Sequence, residues 1–355
     1  MSRFLDSRHA QLKPYVPGEQ PKDRRYIKLN TNENPYPPSP RVAEAVTRAA
    51  VDSQRLYNDP EAVKLRGVIA DYCGVSAEQV VMGGGSDEIL SFAFQAFCGD
   101  KGVVFPDPSY GFYAVYADLY HVKARRAKVR DDFSIDVSDY LAPGENVVIA
   151  NPNAPTGLGL ELDGIEMILK AHPDDVVLID EAYVDFGAES AVSLIDRYDN
   201  LLVVRTFSKS RSLAGARIGF AVGSKELIAD MQTLRNACNP YNVSTLSQLA
   251  GIAAVEDDGY FQDCVDKVCA TRERVTDRLL ELGCTLNRSK TNFLFVKLPG
   301  VPGAEAAQQL RDRGILIRRF DKPGIADYLR VSIGSDGDMD AFLAATEEII
   351  REAGK

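Results

Sequence analysis

The 355-residue chain carries a formal charge of −10, with 45% hydrophobic and 26% charged residues, an ordinary balance for a globular protein too long for one compact domain. The acidic excess argues against non-specific nucleic-acid binding, which needs Lys and Arg to displace counterions, but leaves room for a local basic pocket. No apolar run is long enough to span a bilayer, and the first residues lack an apolar core of signal-peptide length, so no membrane partner and a cytoplasmic setting are expected. Cys73, Cys98, Cys238, Cys264, Cys269 and Cys284 form no CxxC or Cys/His ligand spacing, which predicts reduced, mostly buried thiols and no metal site.

The first forty residues are irregular. "KPYVPGEQP" and "NTNENPYPPSP" are dense in Pro, Asn and Gly, with "YIKLN" as a short strand between them. "RVAEAVTRAAVD" and "PEAVKLRGVIADYCG" read as amphipathic helices, the second stopped by Gly. Short apolar runs then alternate with helical segments: "QVVMGG", "GVVFPDP", "NVVIANP", "VVLIDEAY", "LLVVRTFS" and "IGFAVGS" as strands, "SDEILSFAFQAFCG" and "DGIEMILKAHP" as helices. Runs such as "VVLID" are continuously apolar, as expected when helices cover both faces of a sheet, so residues 46–260 are expected to form a mostly parallel α/β domain. A long polar helix, "GYFQDCVDKVCATRERVTDRLLELG", opens residues 261–355 apart from its first turn. With "NFLFVKLPG", "GILIRRF", "YLRVSIGS" and a closing helix, this tail predicts a smaller α+β domain.

Ligands of open α/β sheets bind beyond the carboxyl ends of the strands, where this chain concentrates its polar residues. "VVMGGGSDE" places Gly85, Ser86 and Asp87 at a helix entry, where free N–H groups favour an anion, although a tight turn is an equal reading. "FPDPSYGFY" carries Tyr110, which packs or stacks. "VIANPNAPTG" places two asparagines in a rigid turn, and "VVLIDEAYVDF" ends its apolar run on Asp180, with Tyr183 three residues on. "VVRTFSKSRSLAGARIGF" delivers Lys209 to a turn with Thr206, Ser208 and Arg217. Each feature alone has a structural explanation. Together they specify pyridoxal 5'-phosphate: a lysine to form an imine with its aldehyde, a carboxylate for its pyridinium nitrogen, and amides, hydroxyls and an arginine for its phosphate.

The same residues carry a resemblance. "GGSDE", "NPNAPTG", "DEAY" and "SKSRSLAGARIGF", in this order, resemble the fold-type I aminotransferases over nearly the whole chain, and "LNTNENPYPPSP", "KPYVPG" and "LRVSIG" are similar to the histidinol-phosphate aminotransferase subfamily. The resemblance implies a large domain that binds pyridoxal 5'-phosphate and a small domain built from both chain ends, residues 1–45 joining 261–355. Lys209 would be the imine lysine and general base, Asp180 the partner of the pyridine nitrogen, Tyr183 a hydrogen-bond partner of the ring's O3' oxygen, and Tyr110 a stacking ring. Gly85, Ser86, Asp87, Thr206, Ser208 and Arg217 would hold the cofactor. Tyr57 would reach the phosphate bound by a partner subunit, which implies a homodimer with shared active sites.

Tyr15, Arg318 and Arg330 would bind the substrate anion, Arg318 being preferred to the adjacent Arg319, and Asn32 and Glu33 lie in the covering N-terminal loop. Relatives place asparagine directly before Pro-Thr-Gly, where its amide bonds O3'; here that position is Ala154. Asn153 is expected to supply the amide, with Asn151 or Tyr183 alone as alternatives. The implied reaction transfers the amino group of L-histidinol phosphate to 2-oxoglutarate, giving imidazole acetol phosphate and glutamate in histidine biosynthesis. An aromatic or broad-specificity aminotransferase, a phospho-amino-acid decarboxylase and a non-catalytic cofactor-binding regulator are the alternatives.

Overall fold

The computed structural model describes residues 4–9 and 11–354. Among the described residues, twelve strands form two sheets. β1 (Ile27–Leu29), β2 (Val80–Gly83), β3 (Val103–Asp107), β4 (Ala124–Lys128), β5 (Asn146–Ala150) and β6 (Val177–Asp180) come first, followed by β7 (Leu201–Thr206) and β8 (Gly219–Gly223). The chain end supplies β9 (Thr285–Leu286), β10 (Phe293–Lys297), β11 (Ile315–Arg319) and β12 (Leu329–Ser332). The larger sheet has the order β2-β8-β7-β6-β5-β3-β4, and the smaller β1-β11-β12-β10-β9.

The larger sheet is parallel from β7 to β4, and only β8 runs against its neighbours β7 and β2. Its apolar runs fold as expected for a sheet covered twice. In β5, Val147 and Ile149 enter one core and Val148 and Ala150 the other; in β6, Val177 and Ile179 separate in the same way from Leu178. Successive side chains of a strand point to opposite faces, and here both faces are dry. The smaller sheet is tied to the chain's beginning by β1, which pairs in parallel with β11 from Ile27↔Ile315 to Leu29↔Ile317.

Two expectations change. The helix anticipated across 41–52 is two, Pro40–Ala45 and Arg48–Asp52, because Val46 leaves helical geometry (ψ 66) and Thr47 Oγ1 accepts from Ala50 N–H at 3.3 Å to start the second. Cys238 is exposed, unlike the buried Cys98, Cys264 and Cys284. Among the described residues, no helix is long and apolar enough to cross a membrane.

Candidate active site

The carboxyl ends of β5 and β6, the turn after β7, the start of the helix Ser86–Lys101 and two strands of the smaller sheet enclose a cavity of roughly 210 Å³. Tyr15, Ser86, Tyr110, Asp180, Tyr183, Lys209, Arg318 and Arg330 line it, with Asn30, Thr31, Asn32 and Ala154.

Asp180 is the last residue of β6 and is 4% exposed. Tyr113 Oη donates to its Oδ2 at 2.7 Å and Ala182 N–H to its Oδ1 at 3.2 Å. Burial dominates, pushing the carboxyl up to about 6 against the lowering effect of both donors. Among the described residues no cation forms an ion pair with it. Glu181 points elsewhere: it accepts from Ser190 Oγ and Ala191 N–H, both at 2.6 Å, lies beside Arg205, and is pushed by burial to about 7.

Lys209 reaches the cavity because the chain turns sharply after β7. Phe207 N–H donates to Ile218 O at 3.0 Å, and Ser208 N–H turns back onto Thr206 Oγ1 at 3.1 Å. Lys209 Nζ donates to Thr31 O at 3.3 Å. Burial, helped by the charge of Arg330, brings the amine down to about 8, so an appreciable fraction is the neutral nucleophile at neutral pH.

At Ser86 the cavity meets the close packing of β7, β8 and the helix start. Gly219 pairs with Thr206 across β8 and β7, and a Cβ on Gly219 would fall 2.4 Å from Ser86 N, so only glycine lets the strand press against the helix start. Gly85 precedes that helix at φ 89, which also favours glycine. Ser86, Thr206 and Ser208 are thereby gathered, Thr206 Oγ1 lying 3.0 Å from Ser208 Oγ. Arg217 joins them through Asp87: Arg217 Nη2 donates to Asp87 Oδ2 at 3.0 Å, and Tyr110 Oη to Oδ1 at 2.7 Å.

A second set of donors faces Lys209 from the smaller sheet. Arg318 and Arg330 are directly paired across β11 and β12, and Tyr15 lines the same wall. Among the described residues neither guanidinium pairs with a carboxylate. Arg318 donates to the carbonyls of Val16 (2.8 Å) and Pro17 (3.1 Å), Arg330 to that of Asn30 (3.2 Å), and the buried Arg330 Nε has no protein acceptor. Burial lowers the Arg330 pKa. Arg319 points the other way, donating to Ala326 O and Asp321, as strand alternation requires.

Two anticipated residues lie elsewhere. Tyr57 is 84% exposed and stacks on Tyr241, ring centroids 4.6 Å apart, outside the cavity of its own chain. Asn153 corrects the expectation for the position before Ala154. It is fully buried, and its Nδ2 donates to Pro108 O (3.0 Å) and Thr156 Oγ1 (3.2 Å) while Oδ1 accepts from Ser109 Oγ (2.8 Å). Its amide is spent on joining two loops, and Ala154 faces the cavity instead. Asn151 is likewise engaged with Leu160, through Nδ2 to its carbonyl (3.0 Å) and Oδ1 from its N–H (2.7 Å). Of the covering loop, Asn32 lines the cavity, while Glu33 pairs with Lys28 at 2.7 Å.

Sequence reasoning missed Tyr113 and Asn34. Tyr113 sits in the apolar helix Phe112–Leu119, where nothing local distinguishes it from a core tyrosine. Asn34 Nδ2 donates to the carbonyls of Lys209 (3.1 Å) and Ser210 (3.2 Å), pinning the lysine turn from far away in sequence. The "NTNEN" run was the available signal.

Residues 24–345 match the model of the family described as aminotransferase class I and II. The chain belongs to the class I and II aminotransferases. It is 48% identical over 353 residues to histidinol-phosphate aminotransferase of Clostridium botulinum, covering 99% of this chain and all of that one. It is 49% identical over 354 residues to histidinol-phosphate aminotransferase 2 of Dechloromonas aromatica, covering 98% and 99%. The solved histidinol-phosphate aminotransferase of Sinorhizobium meliloti, in complex with pyridoxal 5'-phosphate, superposes with a TM-score of 0.86 at 26% identity, covering 99% of this chain and all of that one.

The aminotransferase cavity fits that cofactor on its own chemistry. A buried carboxylate without a cation suits a protonated ring nitrogen, a buried amine held near 8 suits an aldehyde, and the helix start beside Arg217 suits a phosphate.

Proposed function

We propose that this aminotransferase transfers the amino group of L-histidinol phosphate to 2-oxoglutarate, giving imidazole acetol phosphate and L-glutamate, with pyridoxal 5'-phosphate as cofactor. The observation that carries the choice of substrate is the pair Arg318 and Arg330, free of carboxylates in the same cavity as Lys209 and Asp180. Two adjacent guanidinium forks, with a buried Nε lacking an acceptor, are complementary to a dianionic phosphate, and full-length identity to the named relatives supports the same reading.

When bound, the cofactor supplies an aldehyde that accepts amino groups and a ring that delocalises the electrons released when a substrate Cα–H bond breaks. Lys209 would hold the cofactor through its aldehyde and, once free as a neutral amine, would take the proton from substrate Cα, becoming the ammonium that hands it on. Burial lowers its pKa to about 8, which makes the neutral form accessible near neutral pH. Asp180, oriented by Tyr113 and Ala182, holds a proton at the ring nitrogen by presenting a negative charge in a dry site. Ser86, Thr206, Ser208 and Arg217 hold the cofactor phosphate, and Tyr110 packs beside the ring with its hydroxyl on Asp87. Arg318, Arg330 and Tyr15 bind the substrate phosphate in one half-reaction and a carboxylate of 2-oxoglutarate in the other. The segment from Asn30 to Asn34 supplies part of the cavity wall through Asn30, Thr31 and Asn32 and is bonded to Lys209, Ser210 and Arg330.

The exposed Tyr57–Tyr241 pair supports a homodimer in which Tyr57 reaches the partner's site, and a biosynthetic reaction of this kind belongs in the cytoplasm. Steady-state kinetics test the substrate. Dephosphorylated L-histidinol should lose roughly 10²–10³-fold in kcat/KM, and Arg330→Gln should lose a similar factor on the phosphorylated substrate but little on L-histidinol. Equal activity on L-phenylalanine would move the reading to a broad aromatic aminotransferase.

A further inference from the structure

Asn32 enters the cavity wall in a left-handed backbone conformation, φ 55, and is 1% exposed. Every polar group it owns is used. Its N–H donates to Ser332 Oγ at 2.8 Å, Ser332 Oγ donates to Asn32 Oδ1 at 3.1 Å, and Asn292 Nδ2 donates to its carbonyl at 3.0 Å. Asn32 Nδ2 then donates to Tyr183 Oη at 2.9 Å.

The relay has one direction. A backbone N–H only donates, so Ser332 Oγ accepts there, and its single proton goes to Asn32 Oδ1. With Oδ1 accepting, the amide presents its NH₂ to Tyr183. The phenol oxygen accepts, and its own proton has no protein acceptor among the described residues and is left for the cavity that Tyr183 lines. Burial raises the Tyr183 pKa, so that proton is retained. The need for such a donor is acute in this chain because Ala154 offers the cavity no amide and those of Asn151 and Asn153 are engaged elsewhere.

We propose that Asn32 is a positioning residue that locks Tyr183 as a hydrogen-bond donor to the oxygen on the cofactor ring, in place of the amide absent at Ala154. The proposal rests on the reading of the cavity as a pyridoxal 5'-phosphate site. It ties the N-terminal segment and β12 to the chemistry through one oriented chain of hydrogen bonds.

Asn32→Asp is the sharpest variant, because Asp tolerates left-handed backbone and matches Asn in size, yet its ionised carboxylate only accepts and so captures the Tyr183 proton. Ser332→Ala, which adds no charge, frees the amide to flip. Binding of pyridoxal 5'-phosphate to the cofactor-free proteins is measured by titration, together with the pH midpoint of the bound cofactor's absorbance change.

Asn32→Asp is expected to weaken binding on the order of tenfold and Ser332→Ala by about threefold. Both should raise the midpoint, because the anionic ring oxygen loses a donor. In a Tyr183→Phe background, Asn32→Asp should cost less than about twofold more, since the two residues act as one unit. Unchanged affinity and midpoint in Ser332→Ala and Asn32→Asp, or full additivity with Tyr183→Phe, overturns the proposal. Failure of the wild-type protein to bind pyridoxal 5'-phosphate overturns the functional reading, and this proposal with it.

Discussion

Lys209→Ala is expected to lower transamination by roughly 10⁴-fold or more, the scale of losing both the attachment point and the positioned general base. The cofactor should still bind, because the helix start at Ser86, the hydroxyls of Thr206 and Ser208, and Arg217 hold its phosphate independently of the lysine. Its absorbance should then match that of free pyridoxal 5'-phosphate, and small primary amines added to the solution should restore part of the turnover. Lys209 is the lysine among the described residues lining this cavity: its Nζ donates to Thr31 O, and Asp180 and Tyr183 line the same cavity. Wild-type rates in Lys209→Ala would contradict the role assigned to it.

The second large effect joins stability to function at Asp180. In the cofactor-free protein this carboxyl is raised from 3.8 to about 6, burial being the main cause. Between those values the folded state binds more protons than the unfolded one, so stability falls as pH rises through the window and stays lower above it. Asp180→Asn removes the buried charge while leaving an oxygen for the Ala182 N–H. The cofactor-free variant is therefore expected to be more stable than wild type at pH 8 by on the order of 2 kcal/mol, an advantage that shrinks as pH falls from about 6 to about 4. Turnover should drop by roughly 10²–10³-fold, because the ring nitrogen loses the charge that keeps it protonated. Urea denaturation at several pH values, beside steady-state rates, checks both halves. A variant less stable at pH 8 without cofactor would contradict the account of an uncompensated carboxylate.

Much of this arrangement was legible before any coordinates. The continuous apolar runs that became β5, β6 and β7 signalled a sheet covered on both faces, and of the polar residues at or just beyond their ends, Asp180 and Lys209 do line one cavity. Strand alternation allowed only one of Arg318 and Arg319 to face inward, and the resemblance of "GILIR" to the family's run chose Arg318. What escaped was whatever depends on partners distant in sequence. β4 is an edge strand reading "ARRAK", four of its five residues exposed, so no hydrophobic pattern marks it.

The amide of Asn153 has the right chemistry and the right place in the motif, but its orientation is decided by Pro108, Ser109 and Thr156. Tyr113 orients Asp180 from a helix read only as apolar. Asn32 belongs to the expected covering loop and Asn34 is not singled out, and their tasks appear only once the chain's beginning is laid against β12 and the Lys209 turn.

The most direct measurement is borohydride reduction of the pyridoxal 5'-phosphate-loaded protein, followed by peptide mass spectrometry, with and without an amino donor. The account predicts a reduced cofactor adduct on Lys209. The adduct should disappear when the protein first meets L-histidinol phosphate without an oxo acid, and persist when it meets dephosphorylated L-histidinol at the same concentration. An adduct on another lysine, or one on Lys209 that survives L-histidinol phosphate, would contradict it.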